Sequence, residues 1–105
     1  MNPIVRVSIL RCPPDRFPEI RQFMEDAEPA LRPGIEAMPG FLTFYAGADE
    51  ATSSLTNVSF WTSLEAARQL DTFKPMLDLV QPFIALGATF ERPVMNYATL
   101  WQLGG

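Results

Sequence analysis

The chain of 105 residues contains no histidine and a single cysteine. Without histidine there is no Ser-His-Asp or Cys-His catalytic pair, no proximal haem ligand and no His-ligated zinc. One cysteine cannot close an internal disulfide or build a thiolate cage, so nothing points to an oxidising compartment. Charge is scarce as well: eight Lys+Arg stand against twelve Asp+Glu, a formal net charge of −4. Eight scattered cations on an acidic chain grip phosphate backbones poorly, so no nucleic acid partner is expected. No stretch approaches the roughly 18 uncharged apolar residues of a membrane helix. Near the N-terminus Arg6 and Ser8 break the apolar run that a targeting segment would need. The expectation is a cytoplasmic protein with no membrane association, no metal and no cofactor, folded as a single domain over residues 1–105.

What the chain does have is 48% apolar residues, punctuated by ten prolines and six glycines. Pro3 to Arg11 is aliphatic and β-branched without a turn signal, which reads as a strand ended by Cys12-Pro13-Pro14-Asp15. From Asp15 to Leu31 the apolar residues recur at three- and four-residue spacing (Phe17, Ile20, Phe23, Met24, Ala27, Leu31), an amphipathic helix that Pro29 ends or kinks near Ala27 or Glu28. Another short helical turn over 33–37 and the turn Met38-Pro39-Gly40 lead to a strand over 41–46. A loop at 47–51 joins it to a strand over 52–61, where Leu55, Asn57, Ser59 and Trp61 share one face. Thr62 and Glu65 have the spacing of a capping box, with Thr62 as N-cap of a helix reaching about Asp71. Pro75 opens a second helical piece that Gly87 closes, and Ala88 to Leu103 reads as one long extended run with a bulge or edge at Pro93 near its start.

Strand, helix, strand, strand, helix, strand is the α+β, ferredoxin-like βαββαβ order: one antiparallel sheet with helices on one face. The other face should then be polar, and it is not. Whichever parity faces the helices, the first strand leaves either Val5/Val7/Ile9 or Ile4/Leu10 on the far side. The last strand leaves either Met95/Tyr97/Trp101 or Val94/Ala98/Leu100. A homodimer packed sheet to sheet about a two-fold axis is the expected partner arrangement.

With that order in place, the sequence resembles the antibiotic biosynthesis monooxygenase-like family of the dimeric α+β barrel superfamily, over nearly its whole length. The resemblance rests on the first strand Val5 to Arg11, on Met38-Pro39-Gly40-Phe41-Leu42, and on Phe60-Trp61-Thr62-Ser63-Leu64-Glu65-Ala66-Ala67. It implies a dimeric α+β barrel and, in the cofactor-independent branch, oxidation of aromatic polyketide phenols to quinones. In that branch an Asn and a Trp lie four residues apart on the third strand, a spacing that Asn57 and Trp61 match. Haem-degrading relatives use an iron-binding histidine, which this chain lacks.

Asn57 and Trp61 are thus the expected catalytic pair, the amide and the indole N–H being suited to hold a phenolate or a reduced oxygen species. Tyr45 and Tyr97 are expected as substrate-binding proton donors, Arg6 as a neutraliser of substrate charge, and Met76 and Phe83 as walls of an apolar cleft between sheet and helices. Plainer alternatives stand beside these: Trp61 as core, Asn57 bonded to Ser59 or Asn96, and Arg6 in an interface salt bridge. Asp71, at a helix break, could act as a base, its plainer use being to cap the following helical piece. Cys12 has no histidine to activate it. The expected function is oxidation of a small aromatic, a hydroquinone or polyketide phenol. A non-catalytic binding or sensing dimer, or a purely structural dimer, stands beside it.

Overall fold

The computed structural model describes residues 2–104. Strand β1 (Ile4–Arg11) leads through a 3-10 turn into helices α1 (Phe17–Asp26) and α2 (Glu28–Glu36). Strands β2 (Phe41–Asp49) and β3 (Ser54–Trp61) follow as a hairpin. A broken helical segment comes next, with α3 (Leu64–Ala67), a 3-10 stretch Arg68–Thr72, α4 (Lys74–Leu77) and α5 (Val80–Ala85). The last strand is in two pieces, β4 (Thr89–Phe90) and β5 (Met95–Ala98), both paired to β1. The sheet runs β2-β3-β1-β4 with β5 beside the other end of β1, and every pairing is antiparallel. This is the βαββαβ fold that the element order predicts.

Proline placement explains the helix breaks. Pro29 falls in the first turn of α2, where a missing N–H costs nothing, so the long amphipathic pattern divides at Ala27. The second piece is longer than its sequence suggests: α2 runs nine residues with Pro33 inside it. The N-cap of α3 is Ser63 rather than Thr62, its Oγ accepting the Ala66 N–H at 3.1 Å. Thr62 instead donates its backbone N–H to the Gly40 carbonyl at 2.9 Å, tying the start of β2 to the end of β3. Gly40 sits at φ +82, and a Cβ there would meet Ala66 Cβ and Thr62 Oγ1 at 2.6 Å. The extended run from Ala88 is interrupted at Glu91–Val94 and does not continue past Ala98 as strand. Pro93, without a donor, lies in that interruption.

The register decides which face each residue takes. On the helix side Ile4 opposes Trp61, Arg6 opposes Ser59, Ser8 opposes Asn57 and Leu10 opposes Leu55. Both central strands therefore carry apolar residues at their ends and two polar residues mid-strand. The apolar ends seed two separate clusters. Leu10 and Leu55 pack with Phe17, Ile20 and Phe83. Trp61, with Ile4 against it, packs with Ala27, Leu31, Ile35, Ala67 and Leu70. Leu79 lies against both.

Candidate functional site

The mid-strand polar residues form the floor of a cavity of about 440 Å3 that lies between the two clusters. Arg6 and Ser8 come from β1, Asn57 and Ser59 from β3, and Asn96 from β5, where it is the register partner of Arg6. The roof is apolar, with Met24 from α1, Leu31 from α2, Leu70 from the 3-10 stretch, Met76 from α4, Leu79 just before α5 and Phe83 within it. Phe44 of β2 and Phe90 of β4 close the sides. The neutral polar groups of the sheet floor can orient a ligand, while the apolar roof supplies contact area.

The floor is not internally satisfied. Asn57 Oδ1 and Asn96 Oδ1 are buried without a hydrogen-bond partner among the described residues. A buried polar atom in that condition costs roughly 1–3 kcal/mol, and both residues belong to the cavity lining. Neither Ser59 nor Asn96 bonds the Asn57 amide. Ser59 Oγ accepts the Trp61 indole N–H at 2.8 Å, a fully buried bond.

Arg6 is 7% exposed and its Nη2 donates to Asp71 Oδ1 at 2.7 Å. The pair lies within the chain and spans from the floor to the 3-10 stretch after α3, so Asp71 anchors Arg6 instead of capping the next helix. Two further arginines, Arg68 and Arg92, stand on the cavity wall and are exposed to solvent.

The expected site residues separate into two groups. Asn57, Arg6, Met76 and Phe83 all line the cavity. Trp61 does not: it is 0% exposed, packed edge-on against Phe41 with ring centroids 5.5 Å apart, and its N–H is committed to Ser59. It holds the floor from beside the cavity. Tyr45 and Tyr97 are on the opposite sheet face, 62% and 50% exposed, because they share parity with Val58 and Val5, their register partners. A hydroxyl there cannot reach this chain's cavity through the sheet, which corrects the expectation that they assist at the site.

Polar members of the wall that sequence reasoning missed as site residues include Asn96, Ser8, Arg68 and Arg92. A signal existed for the first two. They sit mid-strand with apolar neighbours at the same parity, as Asn57 does. Arg68 and Arg92 had none, since a helix arginine and an arginine before proline read as solvated. Cys12 is buried at the end of β1, and burial pushes its thiol pKa up from the ordinary value of 9.0, away from nucleophile chemistry. Among the described residues no three His, Cys, Asp or Glu side chains converge to hold a metal, and no helix is long and apolar enough to cross a membrane.

No family model and no curated protein matches the chain. Solved structures do. A Deinococcus radiodurans protein that carries the name antibiotic biosynthesis monooxygenase aligns over 96% of both chains, with a TM-score of 0.72 and 14% identity. SnoaB of Streptomyces nogalater, a cofactor-independent oxygenase, aligns over 100% of both chains with a TM-score of 0.63 and 17% identity. Rv0793 of Mycobacterium tuberculosis aligns over 98% of this chain and 97% of its own, with a TM-score of 0.62 and 16% identity. At these identities the likeness is one of fold: the chain has the ferredoxin-like α+β fold of the antibiotic biosynthesis monooxygenases.

Proposed function

We propose that the cavity binds a small aromatic bearing a phenolic hydroxyl and oxidises it with dioxygen, without a resident cofactor. The observation that carries this reading is the pair of amides, Asn57 and Asn96, whose buried oxygens have no partner among the described residues, on the floor of a chamber with an apolar roof. An amide Oδ1 accepts a phenol O–H, and the Nδ2 of the same group donates to the phenolate oxygen or to a reduced oxygen species as charge develops. The balance is simple. A phenol with a free para carbon and one O2 give a para-quinone and one water. The ring supplies four electrons, one oxygen atom bonds the para carbon, and the other leaves with the O–H and C–H hydrogens. The fold shared with a cofactor-independent oxygenase supports the reading.

The seating of Trp61, Tyr45 and Tyr97 off the cavity supports a second reading, a module that binds its aromatic and does not turn it over. Oxygen uptake separates the two. With 1-naphthol as probe, the enzyme consumes one O2 per quinone and releases no hydrogen peroxide, and Asn57→Ala slows this strongly. Equal rates in the two proteins remove Asn57 from the mechanism. Thermal stabilisation by the probe without oxygen uptake establishes the binding module.

The reading includes a homodimer. Val5, Val7, Ile9, Val58 and Phe60 face away from the helices, flanked by Tyr45, Met95 and Tyr97, of which all three are exposed. Such a face exceeds what a lone small domain ordinarily leaves in water, and a second copy about a two-fold axis covers it. A monomeric mass by light scattering removes this part.

A further inference from the structure

Eight cationic side chains punctuate this acidic chain, and their pairing is uneven. Arg6, Arg11, Arg16, Arg21, Arg32 and Lys74 each meet a carboxylate within 4 Å. Arg68 and Arg92 do not, among the described residues, and these two are the ones that stand on the cavity wall beside the buried Arg6. The wall thus carries three guanidiniums and one carboxylate, Asp71, in a protein whose formal net charge is −4. Arg92 is held in place by its neighbour: its guanidinium carbon lies 5.2 Å from the centroid of the Phe90 ring, which also lines the cavity. The chain has ample acid to neutralise both arginines and leaves them unpaired, among the described residues, on the exposed part of the cavity wall.

We propose that the ligand of this cavity is an aromatic acid, a phenol carrying a carboxylate, with its carboxylate met at the rim by Arg68 and Arg92 and its phenolic end on the amide floor. The proposal rests on the cavity reading above and names the substrate class for it. A planar guanidinium suits a carboxylate in particular, since it can donate two parallel N–H bonds to the two oxygens. The division of labour follows from burial. Exposed rim arginines gather and orient the anion, and need little desolvation to do so. The buried floor, where a second bare charge would be costly, offers neutral amides to a neutral hydroxyl. Arg6 is already matched by Asp71, so the floor adds no strong anion site of its own.

Binding of 1-hydroxy-2-naphthoate and of its methyl ester, measured by calorimetry on the full chain, tests this. The two probes share ring and phenol and differ in charge. The acid is expected to bind about tenfold tighter at low salt, from one charge-assisted contact partly screened by water. Arg68→Gln/Arg92→Gln together bring the ratio close to one while leaving the ester's affinity within about twofold. Arg16→Gln/Arg21→Gln, which removes the same charge far from the cavity, leaves the ratio unchanged. Asn57→Ala weakens acid and ester alike. Equal binding of acid and ester by the unaltered protein overturns the aromatic-acid proposal and leaves the cavity reading standing. So does a preference that survives loss of both rim arginines. Binding of neither probe overturns both. Oxygen uptake is a separate readout, so a bound acid that is not oxidised sinks the oxygenase reading and keeps this one.

Discussion

Replacing Asn57 by leucine should stabilise the protein while destroying its site. Asn and Leu branch at the same carbon, so the substitution keeps the shape of the side chain while removing a carbonyl oxygen that is buried and unbonded. The relief is roughly 1–3 kcal/mol for a buried polar atom without a partner. The lower end applies here, because the added methyl volume must be taken up by the adjoining cavity. About 1 kcal/mol corresponds to a rise in Tm of about 4–8 °C for a domain of this size. The assay is a pair of thermal melts by circular dichroism in the same ligand-free buffer, with naphthol-induced stabilisation measured on both proteins. Leucine should melt higher and lose the response to the probe. If Asn57→Leu melts lower than the unaltered protein, the amide is satisfied inside the fold. It is then not free for a ligand, and the reasoning behind the site fails. This is the usual opposition of stability and function, here located on one atom.

The other expectations concern what frames the cavity. Trp61→Phe strips Ser59 Oγ of its buried partner and leaves a void, costing about 2–4 kcal/mol in urea titrations; a loss below about 1 kcal/mol would mean that Ser59 finds another donor. Gly40→Ala should cost about 2 kcal/mol or more, from positive φ together with contacts at 2.6 Å, whereas Gly47→Ala, whose added Cβ would meet Thr56 Cγ2 at an ordinary 3.6 Å, changes little; similar midpoints for the two would refute the steric account. Cys12 should react with thiol reagents at pH 8 only as fast as the fold opens. Because the native thiol holds its proton above the ordinary pKa of 9.0, the unfolded chain ionises first, and this group's contribution to stability should fall as pH rises past about 9. Rapid stoichiometric labelling of native protein would contradict its burial.

The sequence reading reached the element order, the hairpin and the shared face of Leu55, Asn57, Ser59 and Trp61 because each depends on local periodicity and punctuation. It could not choose the parity of β1. Both choices bury aliphatics, and the deciding partner of Arg6, Asp71, is sixty-five residues away. The same limit misplaced Tyr45 and Tyr97, since sharing a sheet is legible locally whereas sharing a side of it needs the register. Trp61 carried a motif spacing that fits a site, yet its bond to Ser59 two residues earlier turned it into support. The rim arginines were invisible for a different reason: what distinguishes them is that no carboxylate among the described residues lies within 4 Å, a property of the assembled surface alone.

The two packed clusters and the gap between them bear on how the domain holds together in time as well as space. Each cluster draws its strand residues from one end of β1 and β3, and Leu79 is the side chain that touches both. Such a layer has two centres of cohesion joined by the sheet and by Leu79, roofed by helices of four and six residues that have little cohesion of their own. A ring in the gap would supply the missing middle layer of side chains and make the halves melt as one. Occupancy would then be written in the sharpness of the unfolding transition and in the slowing of amide exchange over α4 and α5, far beyond the few residues the ring touches.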